Sequence, residues 1–150
     1  MRVYADTSVL GGVWDIEFDA ASQRFLDLCR GGIFSLVVST SVRDELDAAP
    51  SKVKDVWKDI MPYVELVSVT PEATNLQRAY LNAGVVTPKC DLDALHVAIA
   101  TVSKCDITVS WNFRHIVNYR RIPMYNRVNL ASGYKAIGIY SPLEVIGDEG

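Results

Sequence analysis

Four polar side chains, spread over more than a hundred residues, have the chemistry of a metal-dependent site: Asp6, Glu45, Asp93 and Asn112. Three of them are carboxylates, and no paired His or Cys side chains accompany them. Hard oxygen ligands of this kind suit Mg²⁺ or Mn²⁺. Carboxylates close together repel one another and raise at least one pKa unless a cation lies between them. Ions held in this way activate water and stabilise the charge of phosphoryl displacement. The residue types therefore predict such chemistry if the four side chains converge.

Apolar patterning predicts strands that alternate with helices along the chain. The strands are expected at residues 2–5, 34–38, 64–69, 107–110 and 136–140. The helices are expected at residues 19–30, 39–46, 52–60, 70–82 and 91–102. This alternation favours an α/β fold of three layers, with a mostly parallel sheet of about five strands and helices on both faces. With 150 residues and 49% hydrophobic content, we expect a single domain over residues 1–150.

The predicted topology brings the polar side chains to one edge of the sheet. In open parallel sheets, ligands bind at the carboxyl ends of the strands. Asp6 and Asn112 follow the first and fourth predicted strands. Glu45 and Asp93 lie early in helices, and a helix that returns from a strand starts at this same edge. We therefore expect the four side chains to lie close together.

The predicted helix 91–102 has two acids in its first turn and is apolar beyond them, as in a helix at the centre of a domain. A helix N-terminus carries partial positive charge, which favours anions there. We interpret Asp91 as a helix cap or as a supporting residue beside Asp93. His96, three residues after Asp93, is expected to be a hydrogen-bonded histidine of the core.

The distribution of charge is more informative than the net charge of −3. Residues 107–143 contain no Asp or Glu but several bases: Arg114, Arg120, Arg121, Arg127 and Lys135. We interpret this segment as a footprint for phosphate contact, with Arg114 and His115 as candidate contacts. A plain solvated surface would give the same pattern. The acidic net charge argues against a protein that coats nucleic acid by bulk attraction.

The three cysteines are odd in number and lack metal-ligand spacing, which favours reduced thiols buried in the core of a cytoplasmic protein. No apolar run approaches the roughly 20 residues of a membrane span. The N-terminus enters a strand pattern directly, without the layout of a signal peptide. Ser132 and Gly133 favour a turn, as do Pro123 and residues 6–12.

The motifs around these residues resemble the PIN-domain family, in particular the VapC-type ribonuclease toxins of bacterial and archaeal toxin–antitoxin pairs. Residues 3–10 resemble the first strand and first acid of the family, and residues 42–46 resemble the helix with the second acid. Residues 93–100 resemble the block with the third acid, and residues 110–116 resemble a block common in one subgroup. All four motifs occur in order, and the resemblance spans about residues 1–143.

The resemblance implies an endoribonuclease that leaves 5′-phosphate and 3′-hydroxyl ends and holds Mg²⁺ or Mn²⁺ with Asp6, Glu45 and Asp93. It also implies an RNA substrate, a homodimer, and a small antitoxin whose tail blocks the cleft. Many members have a fourth acid where this chain has Asn112. A neutral amide is a weaker ligand, so Asn112 is expected to orient water or a neighbouring group. A site with one metal ion and a site with two are both compatible with this substitution. Ser8 is expected to support the metal site or to shape the turn.

Two other functions fit parts of the sequence. A PIN-like module that binds RNA or protein without catalysis is compatible with Asn112. A phosphatase or phosphotransfer domain would use Asp6 as a covalent nucleophile. Haloacid-dehalogenase enzymes need a second Asp two residues later, where this chain has Ser8. Receiver domains need a pair of acids at the first strand, where Ala5 and Asp6 supply only one. The ribonuclease is therefore the favoured hypothesis.

Overall fold

Short runs of β-branched and aromatic residues form a five-stranded sheet in the computed structural model, which describes residues 1–147. The strands are β1 (Arg2–Ala5), β2 (Ser35–Ser39), β3 (Val64–Val67), β4 (Ile107–Val109) and β5 (Gly138–Tyr140). Their order is β3-β2-β1-β4-β5, and all four pairings are parallel. The predicted fold class is confirmed, and the sheet is wholly parallel.

Eight α-helices accompany the strands within the described residues. They are α1 (Thr7–Gly12), α2 (Asp19–Arg30), α3 (Thr40–Asp47), α4 (Ser51–Ile60), α5 (Pro71–Asn82), α6 (Asp91–Val102), α7 (Arg121–Ala131) and α8 (Pro142–Val145). Short 3-10 helices lie at Met61–Tyr63 and Pro88–Cys90. Consecutive residues of β1 and β4 are buried, and alternate side chains of a strand face opposite sides. Helices and connecting segments therefore cover both faces of the sheet at its centre, as predicted.

Local capping signals position the helices that surround the sheet edge. The Ser39 hydroxyl accepts a hydrogen bond from Val42 N at 3.3 Å and starts α3. Thr70 starts α5 in the same way, with a proline at the first helical position. Helix α6 is buried over most of its length after the first turn and packs against α5. The prediction of an apolar central helix is therefore confirmed.

Two predicted turns are helical, because tertiary packing overrides the local signal. Residues 6–12 were predicted as a turn, but Thr7–Gly12 forms α1, whose last residue packs against Trp111. Pro123 was also predicted to mark a turn, but it is the third residue of α7. The first turn of a helix tolerates proline because its N–H groups have no partner inside the helix. The predicted turn at residues 132–133 is present, and Gly133 has a φ of +87°.

The interpretation of Asp91 as a helix cap was wrong. Asp91 is the first residue of α6, and Cys90, which precedes it, makes no capping hydrogen bond through its side chain. At α3 the cap is Ser39, so Val42 occupies the third helical position. Within residues 1–147, no helix is both long and apolar enough to cross a membrane.

Candidate functional site

Asp6 follows β1, the strand at which the order of strand addition reverses from one side of the sheet to the other. From β1 the chain proceeds to β2 and β3 on one side, and it then returns to β4 and β5 on the other. Ala5 pairs with Val109, so the segments that follow β1 and β4 are neighbours. Open α/β sheets bind ligands in the crevice at such a switch point, beyond the carboxyl ends of the strands. The sequence predicted the strand ends, and the strand order makes this pair of ends adjacent.

Two serine hydroxyls hold the Asp6 carboxylate, which is only 5% exposed. Ser8 Oγ donates to Asp6 Oδ1 at 2.5 Å, and Ser110 Oγ donates to Asp6 Oδ2 at 2.7 Å. Ser8 Oγ also accepts a hydrogen bond from the backbone N–H of Trp111, and Ser110 Oγ accepts one from that of Asn112, each at 2.9 Å. Each serine therefore connects one oxygen of Asp6 to the backbone that follows β4. The structure places Ser8 beside the site, and it adds Ser110, whose only signal in the sequence is its place in the motif of residues 110–116.

The surroundings of Asp6 raise its pKa above the ordinary value. Burial is the largest cause, and the charge of Glu45 adds to it. The charge of His96 and the two serine hydrogen bonds act in the opposite direction without cancelling the effect. A buried carboxylate with a raised pKa is stabilised in its ionised form by a cation placed beside it. The electrostatics at Asp6 therefore fit a site for a divalent ion.

A chain of buried hydrogen bonds ties Glu45 to the centre of the sheet. His96 Nε2 lies 3.0 Å from Glu45 Oε1, and His96 Nδ1 lies 2.7 Å from the Tyr4 hydroxyl. Although burial alone would raise the pKa of Glu45, hydrogen bonding and charge from His96 lower it below the ordinary value. An ionised carboxylate only accepts hydrogen bonds, so His96 Nε2 donates to Glu45, and Nδ1 pairs with the Tyr4 hydroxyl. The hydroxyl of Ser39 completes the chain at 2.9 Å from that of Tyr4.

His96 was expected to be a hydrogen-bonded core histidine, and this prediction is confirmed. The residue is 3% exposed, and both ring nitrogens have partners. The sequence did not show that one partner is Glu45, which lies 51 residues earlier in the chain. The signal for His96 in the sequence was its position about one helical turn after Asp93. His96 therefore orients a candidate metal ligand from within the core.

Removal of the Tyr4 hydroxyl is expected to weaken this network. Tyr4→Phe leaves His96 Nδ1 without its buried partner, while the Ser39 hydroxyl keeps only its contact with Val42 N. We expect a loss of about 1–3 kcal/mol in the free energy of unfolding. Urea denaturation monitored by circular dichroism measures this loss. Tyr119→Phe removes the same atom at a position that is 87% exposed, and a change within about 0.5 kcal/mol is expected there. Equal effects in the two variants would contradict the role given to the network.

Asn112 and His115 connect the same loop to Asp93. Asn112 Oδ1 accepts the backbone N–H groups of Arg114 at 3.1 Å and His115 at 2.9 Å. This turn brings His115 Nδ1 to 3.2 Å from Asp93 Oδ2 in the first turn of α6. The amide oxygen of Asn112 is therefore engaged in shaping the loop. Its NH₂ group is the part that is left for other contacts.

The three acids belong to one edge of the sheet but are not clustered at the spacing of direct ligands. Within residues 1–147, three potential metal ligands whose atoms all lie within 4.8 Å of one another are found in one group, Cys90 with Asp93 and His115. Asp6, Glu45 and Asp93 are more widely spaced than this. Mg²⁺ usually keeps several waters and binds one or two carboxylates directly, so the oxygen donors present fit a hydrated ion.

The remaining predicted residues divide between the site and other parts of the molecule. Arg114 is exposed on the loop after β4, and Asp91 is exposed at the start of α6. Arg121 is not free for phosphate contact, because its guanidinium donates to the carbonyl oxygens of Arg114 at 2.9 Å and Val85 at 2.8 Å. Lys135 lies at a cavity near the opposite, amino end of β4. The basic segment is therefore distributed over both edges of the sheet.

Aromatic packing anchors the loop that follows β4. Trp111 is buried, donates from Nε1 to the Ser22 hydroxyl at 2.7 Å and stacks on Phe18 with ring centroids 4.1 Å apart. Trp111 therefore belongs to the core. Phe113 is 47% exposed, because the loop turns outward beyond Trp111. Cys90 is only half-buried and thus differs from the expectation for the three cysteines.

Comparison with known proteins supports the architecture. No protein-family model matches the sequence, and no curated protein matches it in sequence. A chain in the crystal structure of VapBC2 from Rickettsia felis bound to a DNA fragment from their promoter is similar in fold, with a TM-score of 0.63 and 13% sequence identity. The similarity covers 94% of this chain and 98% of that chain. Over almost its entire length, this chain therefore shares the fold of a protein in the VapBC2 complex.

Proposed function

We propose that this chain is a PIN-domain endoribonuclease of the VapC type, which hydrolyses RNA phosphodiester bonds with Mg²⁺ or Mn²⁺. The observation that carries the proposal is the buried carboxylate of Asp6 at the switch point between β1 and β4. Hydrogen bonds through Ser110, Asn112 and His115 connect it to Asp93 at the same edge. The motifs of the sequence and the fold of the VapBC2 neighbour support the same function.

The side chains of the proposed site divide into ligands and groups that orient them. Asp6, Glu45 and Asp93 would hold the ion, which when bound would activate water and stabilise negative charge at the phosphate. Ser8 and Ser110 fix the two oxygens of Asp6.

His96 and Arg114 have further roles in the proposed site, one as an orienting group and one as a contact for RNA. His96 fixes Glu45 through its Nε2–H group. Arg114 is exposed on the loop after β4, where its guanidinium offers a fork of donors to an RNA phosphate. In the proposed active site, the acidic side chains therefore lie at the sheet edge, and the Arg114 guanidinium lies on the exposed loop after β4.

The partners and context of the enzyme follow from the same proposal. Its fold neighbour was solved as a VapBC2 complex, which supports a small antitoxin as the partner that silences this chain. We propose a cytoplasmic homodimer in which residues 1–150 form one PIN-like domain. The toxin of a type II toxin–antitoxin pair is the role that agrees with these properties.

Glu45→Gln tests the proposed catalytic site with little change in shape. The Gln side chain keeps an oxygen that accepts from His96 but loses the negative charge, so RNA cleavage in Mn²⁺ is expected to fall about a hundredfold or more. Gel analysis of a structured RNA, with and without EDTA, measures the rate. Asp44→Asn is the matched control, because it removes one charge from the neighbouring exposed position of α3. Its rate is expected to stay within about threefold of the wild type.

The results of this experiment also distinguish the alternative functions. Wild-type activity in Glu45→Gln would contradict the proposed role of the acid. Binding of RNA without any cleavage by the wild type would favour a PIN-like module that has lost catalysis. A phosphorylated Asp6 detected by mass spectrometry would instead favour a phosphotransfer domain.

A further inference from the structure

We propose that Cys90, Asp93 and His115 form a zinc site, and that zinc bound there withdraws Asp93 from the active site and inhibits RNA cleavage. The zinc site itself stands on the geometry of these three side chains. The inhibition rests on the proposed function, because it requires Asp93 to serve the nuclease. Separate experiments test the two parts.

The three ligand atoms are close to the spacing that zinc requires. Cys90 and Asp93 are three residues apart at the start of α6, and His115 approaches from the loop after β4. Their ligand atoms all lie within 4.8 Å of one another, and His115 Nδ1 is 3.2 Å from Asp93 Oδ2. Tetrahedral zinc with bonds of about 2.0–2.3 Å separates its ligands by roughly 3.3–3.8 Å. Closure around the ion therefore requires movements of about 1 Å.

The backbone that carries His115 is fixed on both sides of the residue. Its N–H group donates to Asn112 Oδ1 at 2.9 Å, and its carbonyl oxygen accepts from the Tyr125 hydroxyl at 2.8 Å. Tyr125 is fully buried. Asp93 belongs to α6, which is anchored in the core. Two of the three ligands, Asp93 and His115, therefore come from positions that are already ordered, which limits the entropic cost of binding the ion.

The chemistry of the donors distinguishes this group from the oxygen site at Asp6. A thiolate, an imidazole and a carboxylate form a typical zinc ligand set, whereas Mg²⁺ prefers oxygen alone. Binding of Zn²⁺ would release the thiol proton of Cys90 to solvent and form the Zn–S bond. All three residues are partly exposed, so an ion can enter. Three protein ligands leave the fourth position to water.

Asp93 is common to the zinc ligands and to the proposed Mg²⁺ or Mn²⁺ ligands. Its Oδ2 atom already faces His115. Zinc held by Cys90 and His115 would fix Asp93 in that orientation. Because zinc binds a mixed sulfur and nitrogen site more tightly than magnesium does, low zinc concentrations would compete with the catalytic ion. The zinc site would therefore act as an inhibitory site.

Cobalt spectroscopy tests the metal site independently of activity. The purified full-length chain, freed of metal, is titrated with Co²⁺. We expect one ion per chain, a near-ultraviolet thiolate-to-cobalt charge-transfer band, and displacement by one equivalent of Zn²⁺. In Cys90→Ser the band should disappear and the Zn²⁺ affinity should fall about tenfold or more. Cys105→Ala is the matched control, since Cys105 is a buried thiol before β4 and should leave the band intact. Absence of the band in the wild type, or its persistence in Cys90→Ser, would overturn the site.

Cleavage assays in Mn²⁺ test the inhibition, with circular dichroism to verify that each variant folds. One equivalent of Zn²⁺ should inhibit the wild type and Cys105→Ala. Cys90→Ser, compared with its own rate without zinc, should be inhibited only at zinc concentrations about tenfold higher or more. Equal inhibition of both variants would overturn the regulatory role. A wild type that binds Co²⁺ through Cys90 but cleaves no RNA would overturn the proposed function and the inhibition, while the zinc site would stand.

Discussion

Replacement of Asp6 by Asn is expected to slow RNA cleavage severely and, at the same time, to stabilise the metal-free protein at neutral pH. The carboxylate is buried, and its raised pKa means that the folded state disfavours the ionised form. Asn has nearly the same shape and no charge, and the hydroxyls of Ser8 and Ser110 can accept from its NH₂ group as well as donate to its oxygen. Loss of a metal ligand is expected to lower the cleavage rate by about a hundredfold to a thousandfold.

The sign of the pH dependence follows from the direction of the shift. Below the pKa of Asp6 in the unfolded chain, both states carry the neutral acid, and burial imposes no penalty. As the pH rises towards and through the higher pKa of the folded state, the wild type loses stability relative to the Asn variant. The advantage of Asp6→Asn should therefore be present at pH 7 and should vanish in acid. Urea denaturation at several pH values, in EDTA, measures it.

Addition of Mn²⁺ should reverse the order of stability. An ion that binds only the folded state raises the free energy of unfolding of the wild type, and the Asn variant should gain much less. Asp44→Asn, at an exposed position, controls for the loss of one charge. An Asp6→Asn protein that cleaved RNA at the normal rate, or that bound Mn²⁺ as tightly as the wild type, would refute the role of Asp6.

A single methyl group at Gly12 is expected to disturb both the core and the site. A Cβ atom there would lie 2.5 Å from Ser22 Oγ and 2.7 Å from Trp111 Nε1, two atoms that are hydrogen-bonded to each other. Neither is the end of a flexible side chain, so the packing around them must shift. We expect Gly12→Ala to lower the free energy of unfolding by about 1–3 kcal/mol. Displacement of Trp111 would also disturb its hydrogen bond to Ser8, so the cleavage rate should fall as well.

The neighbouring glycine provides the control for this prediction. A Cβ atom at Gly11 would have no heavy atom of the packed surroundings within 4 Å. Both residues belong to α1, and Ala is a better helix former than Gly. Gly11→Ala should therefore be neutral or should stabilise the protein by up to about 1 kcal/mol. Urea denaturation of the two variants should give changes of opposite sign, and equal changes would show that close packing at Gly12 is not the cause.

Asp6, as a proposed metal ligand, shows how a buried charge can oppose stability. Its two serine partners satisfy its hydrogen bonds, but burial and Glu45 still disfavour its charge. Natural proteins commonly retain such groups where the chemistry requires them, and the remainder of the fold compensates. Here the compensation comes from an apolar core on both faces of β1, where Val3, Tyr4 and Ala5 have no exposed surface.

The sequence by itself determined the alternation of elements and singled out the candidate acids. The capping residue Thr70 and its following proline, the apolar strand that includes Val37 and Val38, and the apolar helix after Asp93 are local signals, and each formed the expected element. Such signals depend on neighbours within one or two turns of the chain, so they can be read without the fold. The motifs also placed Asp6 directly after β1 and Asp93 in the first turn of α6. Glu45 was expected early in its helix, but it is the sixth of the eight residues of α3.

Only the tertiary structure decided which strand ends are adjacent and which side chains meet there. The adjacency of β1 and β4 brings Ser110 to Asp6, although 104 residues separate them. The link between His96 and Glu45, and the group that Cys90 forms with Asp93 and His115, depend on the same long-range packing. A serine or a half-buried cysteine has no local pattern that reveals its partner, because contacts between distant segments are set by the packing of whole elements.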